Sequence, residues 1–191
     1  MFNQIKPPDD VEIEIVVTDG LSVKMKSGEN VSGIHIQDKT PPSENDYSIG
    51  LRITFGSFVY LTCGDLDGEY ATSADGYYYN DIESVYKDIV GEIDCYHGNH
   101  HGSQHSNNDN WLTVLKPTSA LISCGEKNTY GHPTKLALDH ITKWTNNVFL
   151  TENCNQDVTQ LYDQVEIMNS DILIQFTKGN TFYQIQNKTK I

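Results

Sequence analysis

The sequence predicts a β-rich mixed domain of the α/β (α+β) class, on three observations. Short runs that alternate apolar and polar residues, separated by turn-forming pairs, fill the first third of the chain. After about residue 80 stretches of helical period alternate with apolar strand-like runs. The 11 Tyr and 14 Gly of the 191 residues lean toward strands and turns.

Taken in order, Val11 to Thr18 reads VEIEIVVT, the period-2 pattern of a half-buried strand, and Asp19-Gly20 supplies a turn. Short strands follow at Leu21 to Met25 and Val31 to Ile36, with His35 as a surface residue of the latter. The stretch DKTPPSEND, Asp38 to Asp46, is a polar loop containing two prolines, which no regular element easily crosses. Ser48 to Phe55, a turn at Gly56-Ser57, and Phe58 to Cys63 make a hairpin. Asn80 followed by Glu83 resembles a capping box, and Ile82, Val85, Tyr86 and Ile89 then recur at helical spacing. Next come a strand at Glu92 to His97, a short helix around Asp109 to Leu115, and a strand at Ser119 to Ser123. A second helix starts at Pro133, a residue suited to the first helical position, with an apolar stripe of Leu136, Leu138, Ile141 and Trp144. Val148 to Thr151 is another strand, and the tail closes as a hairpin, ILIQFT and TFYQIQ, turning at Lys178-Gly179-Asn180. No repeat or low-complexity linker divides the chain, so residues 1–191 read as a single domain.

A net charge of -13 repels phosphate backbones and anionic membranes, which disfavours a general nucleic-acid binder. No apolar run reaches the roughly 20 residues of a spanning helix, and MFNQIKPPDD lacks the apolar centre of a signal peptide. No membrane contact and a cytoplasmic placement are the expectations. The four cysteines lie about thirty residues apart with no CxxC pair. Cys63, Cys95 and Cys124 end or follow apolar runs and read as buried free thiols, with a disulfide as the alternative.

Two loops at predicted strand ends collect the reactive side chains. The first is Thr62-Cys63-Gly64-Asp65, a carboxylate delivered off an apolar strand, which taken alone is as well read as a plain turn. The second, His97 to His105, packs four of the seven histidines into nine residues and suggests a metal site; its bland alternative is a solvated loop. In Asn128-Thr-Tyr-Gly-His132-Pro133, His132 either caps the following helix or faces the same cleft.

These residues form an ordered set. N-x-x-S, an apolar hairpin, GD, a helix, D-x5-HHGS-x-x-S, then S-x-G-x-x-N-x-YGHP resembles metallo-β-lactamase-fold hydrolases, in particular the ComEC-type C-terminal domains of competence DNA-uptake proteins. The matching residues are Asn45, Ser48, Gly64, Asp65, Asp94, His100, His101, Gly102, Ser103, Ser106, Ser123, Gly125, Asn128, Tyr130, Gly131, His132 and Pro133, and the match runs over about 45–151.

The resemblance implies an αββα sandwich with divalent metal, zinc or manganese, at one edge of its sheets. By position, Asp65 and His100 are the implied metal ligands. His101 joins them as a catalytic residue, and Ser103, Asn128 and His132 are candidates for substrate contact or for orienting the ligands. The family's main ligand signature, H-x-[HD]-x-D-H, occurs nowhere in the chain. The expectation is therefore the C-terminal portion of the fold, completed by a missing N-terminal half or a partner chain. It would act as a metal-dependent hydrolase on a small-molecule or phosphoester substrate, nuclease-like by resemblance, although the charge opposes nucleic acid. The alternatives are a degenerate, non-catalytic domain that binds a partner, and a metal module built on His97, His100, His101 and His105 alone.

Overall fold

A computed structural model of the chain describes residues 7–18, 23–24, 30–31, 42–72 and 76–188. The β strands are β1 (Val11–Val17), β2 (Val23–Lys24), β3 (Asn30–Val31), β4 (Gly50–Phe55), β5 (Phe58–Thr62), β6 (Gly68–Thr72), β7 (Tyr78–Asp81), β8 (Cys95–His97), β9 (Ser119–Ile122), β10 (Val148–Leu150), β11 (Val165–Ile167), β12 (Asp171–Phe176) and β13 (Tyr183–Lys188). Between them lie the helices α1 (Ile82–Val90), α2 (Asp109–Leu115), α3 (Lys135–Ile141) and α4 (Gln156–Thr159). The expected Asp19-Gly20 turn, residues 21, 22 and 25 of the second expected strand, 32–36 of the third with His35, and the 38–41 part of the polar loop lie outside the described residues.

Seven strands form one sheet in the order β1-β4-β5-β8-β9-β10-β11. The pairs β1·β4 and β4·β5 are antiparallel, whereas β5·β8, β8·β9, β9·β10 and β10·β11 are all parallel, which makes the sheet mostly parallel and the fold α/β. Crossovers between parallel strands carry the helices, and α1, α2 and α3 bring Ile82, Tyr86, Trp111, Leu112, Leu138 and Ile141 against Leu61, Tyr96, Ala120, Ile122 and Val148 on one sheet face. Burial of these side chains is the main source of stability, at about 1.5–3 kcal/mol for each large apolar residue.

The opposite sheet face has a different cover. Cross-strand registers line up Ile13, Ile53 and Tyr60 in one row and Ile15, Leu51, Thr62, His97 and Leu121 in the next. The C-terminal β12·β13 hairpin packs against this face, with Phe176 on Phe58 at 5.3 Å and on Phe55 at 5.9 Å, and Ile174 lines a cavity with Ile53 and Tyr60. Ile13 and Ile15 stay 36% and 57% exposed. Among the described residues no helix is long and apolar enough to cross a membrane.

Several expectations need correction. The α1 cap is Asp81, whose carboxylate accepts from the Ser84 amide at 3.0 Å, and Glu83 points into the interior instead of closing a box with Asn80. Helix α3 starts two residues after Pro133, with Thr134 as its cap, because the Thr134 hydroxyl accepts from the Ala137 amide. Its buried stripe is Ala137, Leu138 and Ile141, while Leu136 and Trp144 are exposed. The β6·β7 hairpin, α4 and β11 were not expected. Cys124 is not a free thiol but is disulfide-bonded to Cys154, whereas Cys63 and Cys95 are free and buried.

Candidate functional site

Parallel strands β5, β8 and β9 end at the same edge of the sheet and bring three loops together. The loop after β5 turns at Gly64, whose φ of +61° suits glycine, and delivers Asp65, Leu66 and Asp67. The loop after β8 carries His100 and His101 in consecutive left-handed conformations, φ 50° and 54°. Two such residues in succession oppose the usual steric preference, and the surrounding contacts must hold them there. The loop after β9 brings Ser123, Asn128, Tyr130 and His132, and the Cys124–Cys154 disulfide pins its base. Asn155, next to that disulfide, donates to the carbonyls of Gly131 at 2.7 Å and Pro133 at 3.1 Å.

The histidines sort into two carboxylate pairs. His101 Nδ1 donates to the Ser123 carbonyl at 2.6 Å, which places the neutral ring's lone pair on Nε2, and Nε2 faces Asp65 Oδ1 at 3.6 Å. Two acceptors that face each other are bridged by a donor such as water, or by a cation. Both groups are open to solvent, with 51% and 43% of their side chains exposed. His100 is the more enclosed: its Nδ1 lies 3.6 Å from Asp67 Oδ1 and 3.4 Å from Asn45 Nδ2. Asp65 is thus set opposite His101, and His100 opposite Asp67. His132 packs edge-on against His100, ring centroids 5.4 Å apart, and stacks under the exposed Tyr130 at 6.0 Å. Burial, and then the neighbouring His100 and His101, push His132 down to about 4, so it is neutral at pH 7. Its Nδ1 is buried without a hydrogen-bond partner.

Beneath this layer is a carboxyl pair. Asp67 is fully buried and neither of its oxygens has a hydrogen-bond partner. Asp46, also fully buried, accepts from Asn80 Nδ2 at 2.7 Å and is pushed up to about 7, first by burial and further by the charge of Asp67. Asp46 is therefore partly protonated at neutral pH.

The opposed acceptors of Asp65 and His101, with the Ser123 carbonyl orienting the ring, suit one edge of a cation site. A catalytic zinc takes about three protein ligands, however, and no group of three or more His, Cys, Asp or Glu side chains among the described residues is placed to hold a metal. These donors do not by themselves close a metal site.

The other expected residues hold the loops. Buried Ser103 accepts from the His105 amide at 3.2 Å, and Ser106 donates to the Leu66 carbonyl at 2.7 Å. Asn128 donates to the His132 carbonyl and accepts from the Tyr130 amide, closing its own loop. Asp94 lies just before β8, away from the site edge, where it accepts from the Val59 amide at 2.7 Å. His97 is held between Thr62 Oγ1 at 3.0 Å and Ser123 Oγ at 2.9 Å, and burial lowers its pKa. His105 bonds Glu69 and stacks on Tyr79 at 4.7 Å. His97, His100, His101 and His105 form no common metal site among the described residues. Sequence reasoning missed Asp46 and Asp67. Asp67 had a signal, since GDLD sets a second carboxylate two residues after Asp65; Asp46 was absorbed into a polar loop.

No family model matches the chain. It is 28% identical over 112 residues to ComE operon protein 3 of Bacillus subtilis (strain 168), covering 59% of this chain and 13% of that protein. It is 31% identical over 98 residues to competence protein ComA of Neisseria gonorrhoeae, covering 51% of this chain and 13% of that protein. The chain is therefore similar to competence proteins over about half its length, and the match spans only a small part of each relative.

Proposed function

We propose that the chain is the C-terminal part of a metal-dependent hydrolase of metallo-β-lactamase fold that cleaves phosphoester bonds once another polypeptide layer completes its site. The observation that carries this reading is Asp65 facing His101 Nε2 at 3.6 Å while His101 Nδ1 is committed to a carbonyl. Asp65 and His101 would hold zinc or manganese, with His100, backed by Asp67, as a further donor. The metal, when bound, would lower the pKa of a water toward about 7 and polarise the phosphoryl group. His132, neutral at pH 7, offers a hydrogen bond rather than a charge to what enters the cleft. Similarity to proteins named for competence supports a role connected with DNA uptake. The charge of -13 favours a small phosphoester over a polynucleotide as substrate.

The completing layer is supported by the sheet face bearing Ile13, Ile15, Leu51 and Ile53. Mostly parallel sheets are normally covered on both faces, and this half-covered one runs up to the edge that holds Asp65 and His101. A layer docked there would give the αββα sandwich and bring the missing ligands.

Equilibrium dialysis with zinc and manganese, paired with hydrolysis of bis(p-nitrophenyl) phosphate, tests this reading. Asp65→Asn is expected to weaken metal binding roughly tenfold or more. Metal bound as tightly by Asp65→Asn as by the native chain would overturn the hydrolase reading in favour of a non-catalytic binding domain.

A further inference from the structure

Glu83 is an acidic residue with no exposed surface, standing in the first turn of α1 on the same face as Tyr86 and Val90. Burying a carboxylate is costly unless it is fully hydrogen-bonded: burial pushes Glu83 up to about 8, and the bonds that hold it down all come from one loop. Oε1 accepts from Asn99 Nδ2 at 2.8 Å and from the Asn107 amide at 2.6 Å, and Oε2 accepts from the Asn108 amide at 2.7 Å. Asn99 immediately precedes His100, and Asn107 and Asn108 close the same loop. Asn107 Oδ1 takes hydrogen bonds from Tyr96 Oη at 2.8 Å and from the Asn99 amide at 2.9 Å, so the start and the end of the histidine loop share one polar knot.

The other side of the carboxylate touches the acidic loop. Gly68 follows Asp67, and a Cβ there would overlap the Glu83 carboxyl group. The Gly68 amide donates to the His105 carbonyl at 2.7 Å, and the Gly68 carbonyl accepts from Asn108 Nδ2 at 2.7 Å. Glu83 is therefore wedged between the strand that leaves Asp65 and Asp67 and the loop that carries His100 and His101.

We infer that Glu83 is a positioning residue: its buried carboxylate holds the histidine loop against the Asp65–Asp67 loop and keeps His100 and His101 in their left-handed conformations facing those carboxylates. This rests on the hydrolase reading only for the purpose of the placement; the placement itself is a property of Glu83, Asn99, Asn107, Asn108 and Gly68. Glutamine in place of Glu83 keeps the shape but turns an amide N–H toward a backbone donor, so one anchor of the loop is lost.

The test is ring 15N NMR of His100 and His101 in the full chain, comparing Glu83→Gln and Gly68→Ala with Leu138→Ala, a core truncation in α3 that lowers stability without touching the knot. Both knot variants are expected to shift the two ring signatures while the Leu138 variant leaves them in place. Folded Glu83→Gln with unshifted rings would overturn the inference, as would equal shifts in all three variants. Should Glu83→Gln not fold, Gly68→Ala decides, and failure of both to fold would mark the carboxylate as a general folding group and overturn the positioning role. Zinc binding, measured in parallel, separates the two readings: zinc held equally by the native chain and by Asp65→Asn sinks the hydrolase reading and leaves the positioning inference to the ring signatures.

Discussion

Asp46 shows how a single buried group ties pH to the shape of the site. Its carboxyl is held near 7 in the folded chain against 3.8 as its ordinary value, so between those limits the folded state binds more protons than the unfolded one. The sign follows: stability from this group is fully present below about pH 4 and is lost as pH rises through about 7. Urea midpoints measured from pH 4 to pH 8 should fall across that window more steeply in the native chain than in Asp46→Asn. Equal slopes would mean that burial does not raise the Asp46 carboxyl. His132 works the opposite way: its pKa is lowered, so the unfolded chain takes up its proton first as pH falls below about 6.5, and the folded state loses stability toward pH 4.

At the scale of elements, the loop after β9 depends on a bond that the sequence left open. The disulfide joins Cys124, at the end of β9, to Cys154, after β10, across a separation of 30 residues. Replacing both cysteines by serine should cost about 2–4 kcal/mol, read as a lower urea midpoint, with faster hydrogen exchange at the Tyr130 amide. An unchanged midpoint would show that the hydrogen bonds of Asn155 to Gly131 and Pro133, and of the Thr151 hydroxyl to the Cys124 backbone at 2.8 and 2.9 Å, hold this loop without it. Such bonds persist in oxidising compartments, which weighs against the cytoplasmic placement expected from the sequence. The same region shows where the sequence was legible. The β4·β5 hairpin, α1, α2 and the C-terminal hairpin could be read because each carries its own local period and turn residues. The pairing of Cys124 with Cys154 could not, since it depends on the adjacency of β9 and β10, a non-local fact. GD and HHGS could be placed at strand ends, and the structure brings their loops together at one edge of the sheet. The sorting of His100 to Asp67 and His101 to Asp65 could not be read, because it is set by two consecutive positive φ angles that no side-chain pattern encodes. Glu83 fell on an apolar helix face, at i and i+3 with Tyr86, and that placement was the available signal of its burial.

For the whole molecule, the half-covered sheet and the acidity belong together. An apolar face that ends in exposed Ile13 and Ile15 is a route to self-association, and the charge of -13 opposes it through mutual repulsion of like molecules. That protection is pH-dependent, because the isoelectric point is about 4.7. Light scattering should therefore rise sharply as the chain is brought toward that pH, and Ile15→Lys should blunt the rise; scattering that does not respond to the substitution would place the sticky surface elsewhere. The acid-rich composition then acts as a colloidal guard, keeping molecules with an exposed apolar edge strand dispersed.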